Sequence, residues 1–95
     1  MHIFVLRFTE LRAEAPRWMD GHKAWLQQGF DDGVFLMAGS LRAQQGGVVM
    51  AHQISSKDLQ QRVDADPFVM QGIVSAEILD IAPARTDERM RFLLD

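Results

Sequence analysis

His22 is the side chain of this 95-residue sequence whose type and setting best suit proton transfer. It follows Trp18 by four residues and precedes Trp25 by three, on the apolar face of a predicted helix. Imidazole titrates near neutral pH in model compounds, so a histidine can act as a general acid or base. A histidine among aromatic side chains also needs a hydrogen-bond partner for a ring nitrogen. The pattern therefore leaves open a catalytic residue and an ordinary hydrogen-bonded core histidine.

Asp66 is the second candidate, and it stands directly before Pro67 in VDADPFVMQG, residues 63–72. A residue before proline is disfavoured in the helical region, so a helix running through this stretch must stop and restart. Aspartate at the N-cap with proline at the first helical position is a favoured helix start. The cap does not exclude a second role. One carboxylate oxygen can accept a backbone N–H while the other orients an imidazole.

The segment AGS, residues 38–40, supplies the next candidate contacts with a substrate. Gly39 at the end of a predicted strand would allow the backbone to approach a ligand closely, although a simple bend is the alternative. Ser40 could donate a hydrogen bond to a substrate. Arg42 could pair with an anion, or it could be a solvated turn residue.

Aromatic residues near the two candidates could form the apolar wall of a pocket, with core packing as the alternative; they are Trp18, Trp25 and Phe68. The sequence has no cysteine. His22 and His52 lack the spacing of zinc ligands, and no third ligand can be named. We therefore expect neither a metal ion nor a cofactor.

Composition excludes several classes of protein. A net charge of −3 argues against a nucleic-acid partner, because phosphate binding requires a basic surface. The N-terminal stretch does not resemble a signal peptide, and no segment approaches the roughly 20 apolar residues of a membrane span. We expect a single domain over residues 1–95, without a membrane partner and located in the cytoplasm.

Hydrophobic patterning predicts the element order β-α-β-β-α-β. The predicted strands cover residues 2–9, 34–41, 48–55 and 72–83; the first helix runs from about 14 to 32, the second begins after Ser55 or Ser56, and a short C-terminal helix capped by Thr86 turns Met90, Leu93 and Leu94 inward. This order is typical of the ferredoxin-like α+β fold, in which two helices cover one face of a four-stranded antiparallel sheet.

The first predicted strand, HIFVLRFT at 2–9, carries apolar residues on both of its faces. Two helices on one side of the sheet leave the second apolar face uncovered. A second copy of the chain, packed sheet against sheet, would cover it. We therefore predict a homodimer through the open sheet face.

Three stretches in this order resemble the YCII-related domain family: HKAWL at 22–26, DDGVFLMAG at 31–39 and ADPFVMQG at 65–72. The resemblance covers roughly residues 1 to 83. It implies a ferredoxin-like, dimeric α+β barrel, and an active site of a first-helix histidine and an aspartate in a D-P-[FY] motif, here His22 and Asp66. Family members often carry A-G-P where this chain has A-G-S, with Ser40 in place of the proline.

The activity associated with this family is lyase-like, the elimination of chloride from a chlorinated hydroxyhydroquinone, and related dimeric barrels include an isomerase. The resemblance thus favours a small cofactor-independent lyase or isomerase that acts on a small aromatic or hydrophobic compound through a His-Asp dyad. A non-catalytic dimer that binds a small ligand is the alternative. A third hypothesis gives the dyad only a structural role, in which it locks the break in the second helix to the first helix.

Overall fold

The computed structural model describes residues 1–94, which form one four-stranded antiparallel sheet with helices against it. The strands are β1 (His2–Phe8), β2 (Phe35–Leu41), β3 (Gly46–Ala51) and β4 (Val74–Asp80), and the α-helices are α1 (Ala15–Asp31), α2 (Ser56–Asp64) and α3 (Pro67–Met70). Short 3-10 turns cover Arg12–Glu14, Arg42–Gln44 and Glu88–Leu94. The strand order is β2-β3-β1-β4. The predicted ferredoxin-like α+β fold is confirmed.

The core lies between the sheet and the helices and is centred on β1. Phe4 pairs with Val49 of β3 on one side and with Ile78 of β4 on the other. Its ring is fully buried and packs against the rings of Phe35 and Trp25. Each such side chain contributes roughly 1.5–3 kcal/mol through its removal from water. This end of the sheet is therefore a closed core, and an open site has to lie elsewhere.

Helix α1 packs closely on the sheet because it carries glycine where it crosses β2. A Cβ at Gly29 would overlap the ring of Phe35. The helix ends at Asp31, and Gly33 follows its C-cap with a φ of 73°, in the left-handed region that glycine adopts without strain. These two glycines fix the depth and the end of α1.

Helix α2 begins at a serine cap, as predicted, because Ser55 accepts a hydrogen bond from the backbone N–H of Asp58 at 3.1 Å. The helix is tied to α1 at its other end, where Arg62 forms an ion pair with Asp32 at 3.0 Å. Hydrogen bonds from the Gln28 amide and from Arg62 hold the pKa of the Asp32 carboxyl below its usual range. The two helices are thus held together where both end.

All four strands differ in extent from their predicted ranges, β1 and β2 by one residue and β3 and β4 by more. β3 begins at Gly46 instead of residue 48, because Gly46 and Gly47 pair with backbone groups of both β1 and β2. It ends at Ala51, since Gln53 takes a positive φ of 54° and leaves the extended region. β4 begins after Gly72, whose φ is 69°.

The C-terminal segment corrects a prediction. Thr86 does not cap it; Asp87 does so, by accepting a hydrogen bond from the N–H of Arg89 at 2.9 Å. The segment is a 3-10 turn in which only Leu93 of the three predicted residues is buried, while Met90 and Leu94 are exposed. A 3-10 turn has three residues per turn, so it does not present the face of the predicted α-helix.

The sheet face that points away from the helices is apolar, as the sequence predicts. Alternation along the paired strands places on it the following residues: Ile3, Val5, Met37, Val48, Met50 and Leu79. An exposed ion pair between Arg7 and Glu77, at 3.0 Å, lies beside them. No helix within residues 1–94 is long and apolar enough to cross a membrane.

Candidate active site

Asp66 begins helix α3, and its side chain caps that helix. Its backbone is extended (φ −62°, ψ 126°), Pro67 occupies the first helical position, and Oδ1 accepts a hydrogen bond from the N–H of Phe68 at 3.1 Å. The predicted N-cap is therefore present. The Asp66 side chain is completely buried, which is unusual for a carboxylate and requires charge or hydrogen-bond compensation.

That compensation comes from His22 on α1. Its Nδ1 lies 2.8 Å from Oδ1 of Asp66, the same oxygen that accepts the Phe68 N–H. The sequence hypothesis gave these two donors to different oxygens; Oδ2 instead is buried without a partner within residues 1–94. An ionised carboxylate only accepts hydrogen bonds, so Nδ1 is assigned as the donor and neutral His22 keeps the lone pair on Nε2.

The His22 ring is fixed by stacking as well as by its hydrogen bond. It lies parallel to the ring of Phe68, with centroids 4.1 Å apart and an interplanar angle of 3°. Trp25 is also stacked, at 5.9 Å and 26°. The side chain keeps 17% of its surface exposed. With Nδ1 held by Asp66, Nε2 is the ring nitrogen that makes no hydrogen bond within residues 1–94.

A glycine allows α1 to approach α3 closely enough for this pair to form. A Cβ added at Gly21, the residue before His22, would lie 3.2 Å from Cγ of Pro67. Such a contact is tighter than ordinary van der Waals contact, so a larger residue would push the two helices apart. Gly21 therefore fits against Pro67, and this close approach accompanies the hydrogen bond between their neighbours His22 and Asp66.

His22 faces a cavity of about 560 Å³ between α1 and the sheet, a size within the range of small-molecule sites. Its wall is mainly apolar and includes Leu6, Val49 and Phe68. Inward-facing residues of β2 and β3 are small here, namely Ala38, Ser40 and Gly47. The cavity exists because these positions carry little side-chain volume. At the other end of the sheet, Phe35 fills the corresponding space.

The structure brings four of the predicted substrate-binding or catalytic residues to this cavity: His22, Gly39, Ser40 and Phe68. Asp66 lies behind His22 and does not line it. Their location at the cavity is observed, and their role in catalysis or substrate binding stays a prediction.

Three other predicted substrate-binding residues lie outside the cavity. Trp25 packs into the core against Phe4 and Phe35, and its Nε1 donates to the carbonyl oxygen of Arg62 at 2.9 Å. Trp18 lies at a separate surface depression. Arg42 is in the exposed turn between β2 and β3.

Two cations line the cavity that the sequence analysis did not single out. Arg12 comes from the 3-10 turn before α1, and Lys23 follows His22 on α1. Arg12 Nη2 donates to Oε1 of Gln44, which lies beyond β2, at 3.3 Å. No local pattern marks residues 32 positions apart as neighbours, so this contact could not be found before the fold.

The arrangement places an oriented imidazole beside an apolar space with cations on its wall. No group of three or more potential metal-ligating residues occurs within residues 1–94. The chemistry these side chains can support is proton transfer at the edge of His22.

The model of the YCII-related domain matches residues 4–82, so the chain belongs to the family of proteins with a YCII-related domain. A search of curated proteins gives no significant match.

Among solved structures, the chain is similar to 5-chloro-2-hydroxyhydroquinone dehydrochlorinase (TftG) from Burkholderia phenoliruptrix AC1100, in complex with 2,5-dihydroxybenzoquinone. The TM-score is 0.69 with 14% sequence identity, over 85% of this chain and 93% of that one. At this identity the similarity establishes the fold and does not extend to the reaction.

Proposed function

We propose that this protein is a small cofactor-independent enzyme of lyase or isomerase type, in which His22 transfers a proton to or from a small aromatic or hydrophobic compound. The observation that carries the proposal is the His22 imidazole, which donates from Nδ1 to buried Asp66 at 2.8 Å and lines a cavity of about 560 Å³. An imidazole with one nitrogen held and its other edge open to a cavity is arranged as a general base.

In the proposed reaction, Nε2 of neutral His22 removes a proton from the substrate. In an elimination from a chlorinated hydroquinone, His22 moves the proton of one ring hydroxyl to the carbon that carries chlorine, which gives the keto tautomer. It then removes the proton of a second hydroxyl, whose O–H electrons form a carbonyl bond while a ring double bond shifts and chloride departs with the electrons of the C–Cl bond, leaving a quinone. In an isomerisation, a proton removed from one carbon returns to another. Asp66 holds the tautomer, and its charge stabilises the imidazolium that forms.

Elimination is the version we favour, because TftG, which has a similar fold, is a dehydrochlorinase that has been solved with a ring compound bound. Loss of hydrogen chloride from a chlorinated hydroquinone requires a group that can both give and take a proton, and an apolar pocket that holds the ring. Both are available at His22, where Phe68 and Leu6 supply apolar wall.

The experiment is a turnover assay on small chlorinated hydroquinones, beginning with 5-chloro-2-hydroxyhydroquinone, with chloride release as the readout. A parallel assay in D2O follows deuterium uptake into non-chlorinated carbon acids by NMR. We expect His22→Gln to lose activity by about 10²–10⁴-fold, the usual contribution of a general base. Asp66→Asn should also lose activity, since it removes the charge that stabilises the imidazolium.

The matched control is His52→Gln. His52 is a second partly exposed histidine whose Nε2 lies 3.2 Å from the carbonyl oxygen of Gly33, and it does not line the cavity. It should keep wild-type turnover. Full activity in both His22→Gln and Asp66→Asn would contradict the proposal. Ligand binding without turnover of any compound would favour the non-catalytic binding module.

We further propose that the protein works as a homodimer joined through the open sheet face. The support is the apolar surface on the side of the sheet away from the helices, where Met37 and Leu79 are each 42% exposed. An isologous contact through this face would leave the helix side, and with it the His22 cavity, on the outside of each sheet.

A further inference from the structure

The cavity beside His22 carries a charge opposite to that of the chain. The sequence has 13 acidic and 10 basic residues. Nevertheless, the residues that line the cavity within residues 1–94 include Arg12 and Lys23 and no aspartate or glutamate. An apolar space with only cations on its wall attracts anions.

Arg12 is held in place at the cavity by contacts with neutral groups, and it forms no ion pair with a carboxylate within residues 1–94. Its guanidinium carbon lies 4.7 Å from the centroid of the Phe8 ring, and Nη2 donates to Gln44 at 3.3 Å. Neither contact supplies a negative charge. Arg7 and Arg62, by contrast, each form an ion pair with a carboxylate at 3.0 Å.

Lys23 provides the second positive charge from a different element. It follows His22 directly on α1, and within residues 1–94 it forms no ion pair with a carboxylate closer than 4 Å. The two cations therefore come from the 3-10 turn before α1 and from the middle of α1 itself. Both can reach a ligand that also contacts the edge of His22, since all three line one cavity.

We propose that the ligand of this cavity is an organic anion built on a small ring, whose carboxylate or ionised hydroxyl is bound by Arg12 and Lys23. The ring occupies the apolar part of the cavity beside Phe68. Arginine suits this role because its planar group binds two oxygens of a carboxylate and rests on an aromatic face. The reaction of the bound anion at His22 rests on the proposed function, whereas its binding to the cavity does not.

The two cations would also act in the reaction proposed above. Removal of a proton from the ring compound leaves negative charge on the substrate, which delocalises toward its oxygen substituents. Positive groups beside those oxygens stabilise that charge as it develops. The substrate class is then a ring compound that is anionic before it reacts, such as an acidic phenol, enol or carboxylic acid.

The test compares benzoate with benzamide, its neutral analogue of similar shape, in NMR titrations of the isotope-labelled protein. We expect benzoate to bind at least about tenfold more tightly, as a charge-assisted hydrogen bond allows. Arg12→Gln and Lys23→Gln should each weaken benzoate binding by about tenfold and leave the binding of benzamide unchanged. Added salt should weaken benzoate binding alone, because both cations are exposed.

The matched control is Arg17→Gln, which removes an exposed arginine close by on α1 that does not line the cavity. It should bind benzoate like the wild-type protein. An equal affinity for benzoate and benzamide, including no binding of either, would overturn the proposal. So would an effect of Arg17→Gln equal to that of Arg12→Gln.

His22→Gln separates this inference from the proposed function. If this variant binds benzoate normally and has lost turnover, both proposals stand. If it binds benzoate normally and keeps turnover, the anion site stands and the role of His22 as base is wrong. If turnover depends on His22 but benzoate has no preference over benzamide, the base stands and the anion site is wrong.

Discussion

Oδ1 of Asp66 accepts two hydrogen bonds, one that begins helix α3 and one that holds His22 on α1. A single atom thus joins the local start of a helix to a contact between helices. Because Pro67 holds its own φ near −65° and restricts Asp66 before it to the extended region, the direction of this carboxylate is set by local chain geometry. His22 then receives a partner whose position does not depend on a flexible loop.

Replacement of Asp66 by alanine should cost more stability than the loss of an ordinary cap. We expect Asp66→Ala to lower the free energy of unfolding by about 2–3 kcal/mol. About 1 kcal/mol comes from the cap, and the rest from the unpaired Nδ1 of His22. The removal of Oδ2, which is buried without a partner, offsets part of this cost. Urea denaturation followed by circular dichroism measures the change.

Ser55→Ala is the control for this prediction, because Ser55 caps α2 through one backbone N–H and its side chain makes no hydrogen bond to another helix in the part of the chain that the structure describes. It should cost about 1 kcal/mol. An equal cost for the two variants would mean that the hydrogen bond between Asp66 and His22 adds no net stability. The pair would then be present for function alone.

Single residues were predictable from sequence where their role depends on local spacing. Asp66 before Pro67 marks a cap, and His22 three and four residues from tryptophans marks a buried helix face. Arg12 was missed because its place at the cavity depends on Gln44, which lies 32 residues away along the chain. Trp25 was assigned to the pocket wall because helical periodicity indicates a face, whereas the tertiary packing decides which side chains on that face reach the core.

At the level of elements, the position of helix α1 depends on two of its glycines, which have no side chain. Gly29 lies against the ring of Phe35, and Gly21 lies against Pro67. One contact sets the distance from α1 to the sheet and the other sets the distance from α1 to α3. The His22 ring stands between these two contacts along the helix, so its position follows from both.

Alanine substitutions at two glycines of this region should differ in cost. Gly29→Ala should destabilise the protein by about 2–3 kcal/mol, because the added Cβ overlaps Phe35 and forces the core to shift. Gly33→Ala should cost about 1 kcal/mol, since φ is positive there but no atom lies within 4 Å of an added Cβ. Denaturant unfolding of both variants checks this. Equal costs would show that the Phe35 ring moves aside freely.

The order of the elements could be read from hydrophobic periodicity and caps, which act over a few residues. The ends of β3 and β4 could not, because the partner strands decide how far a ladder extends. Gly46 and Gly47 read as a turn, yet they pair on both sides. The C-terminal segment was predicted as an α-helix from its apolar spacing, and its 3-10 geometry turns Met90 and Leu94 outward.

In the whole molecule, the two faces of the sheet differ in what covers them. Helices cover the inner face except where small residues of β2 and β3 leave the cavity open. The outer face has apolar side chains on all four strands and one exposed ion pair across it. A stable protein–protein interface buries roughly 800 Å² per partner, and a four-stranded face of this kind can supply it.

The dimer proposed through this face predicts a specific pair of disruptive substitutions. Met37→Lys and Leu79→Lys each place a charge on an edge strand of the outer face, at positions already 42% exposed in the single chain. Each should therefore leave the fold intact and convert the dimer to monomer, because the charge would be buried against a second copy. Sedimentation velocity measures the mass, and circular dichroism checks the fold.

Met70→Lys is the control, since Met70 is 67% exposed on α3, and it should stay dimeric. A wild-type protein that sediments as a monomer would show that there is no dimer. Lysine variants that both remain dimers would show that the interface lies elsewhere.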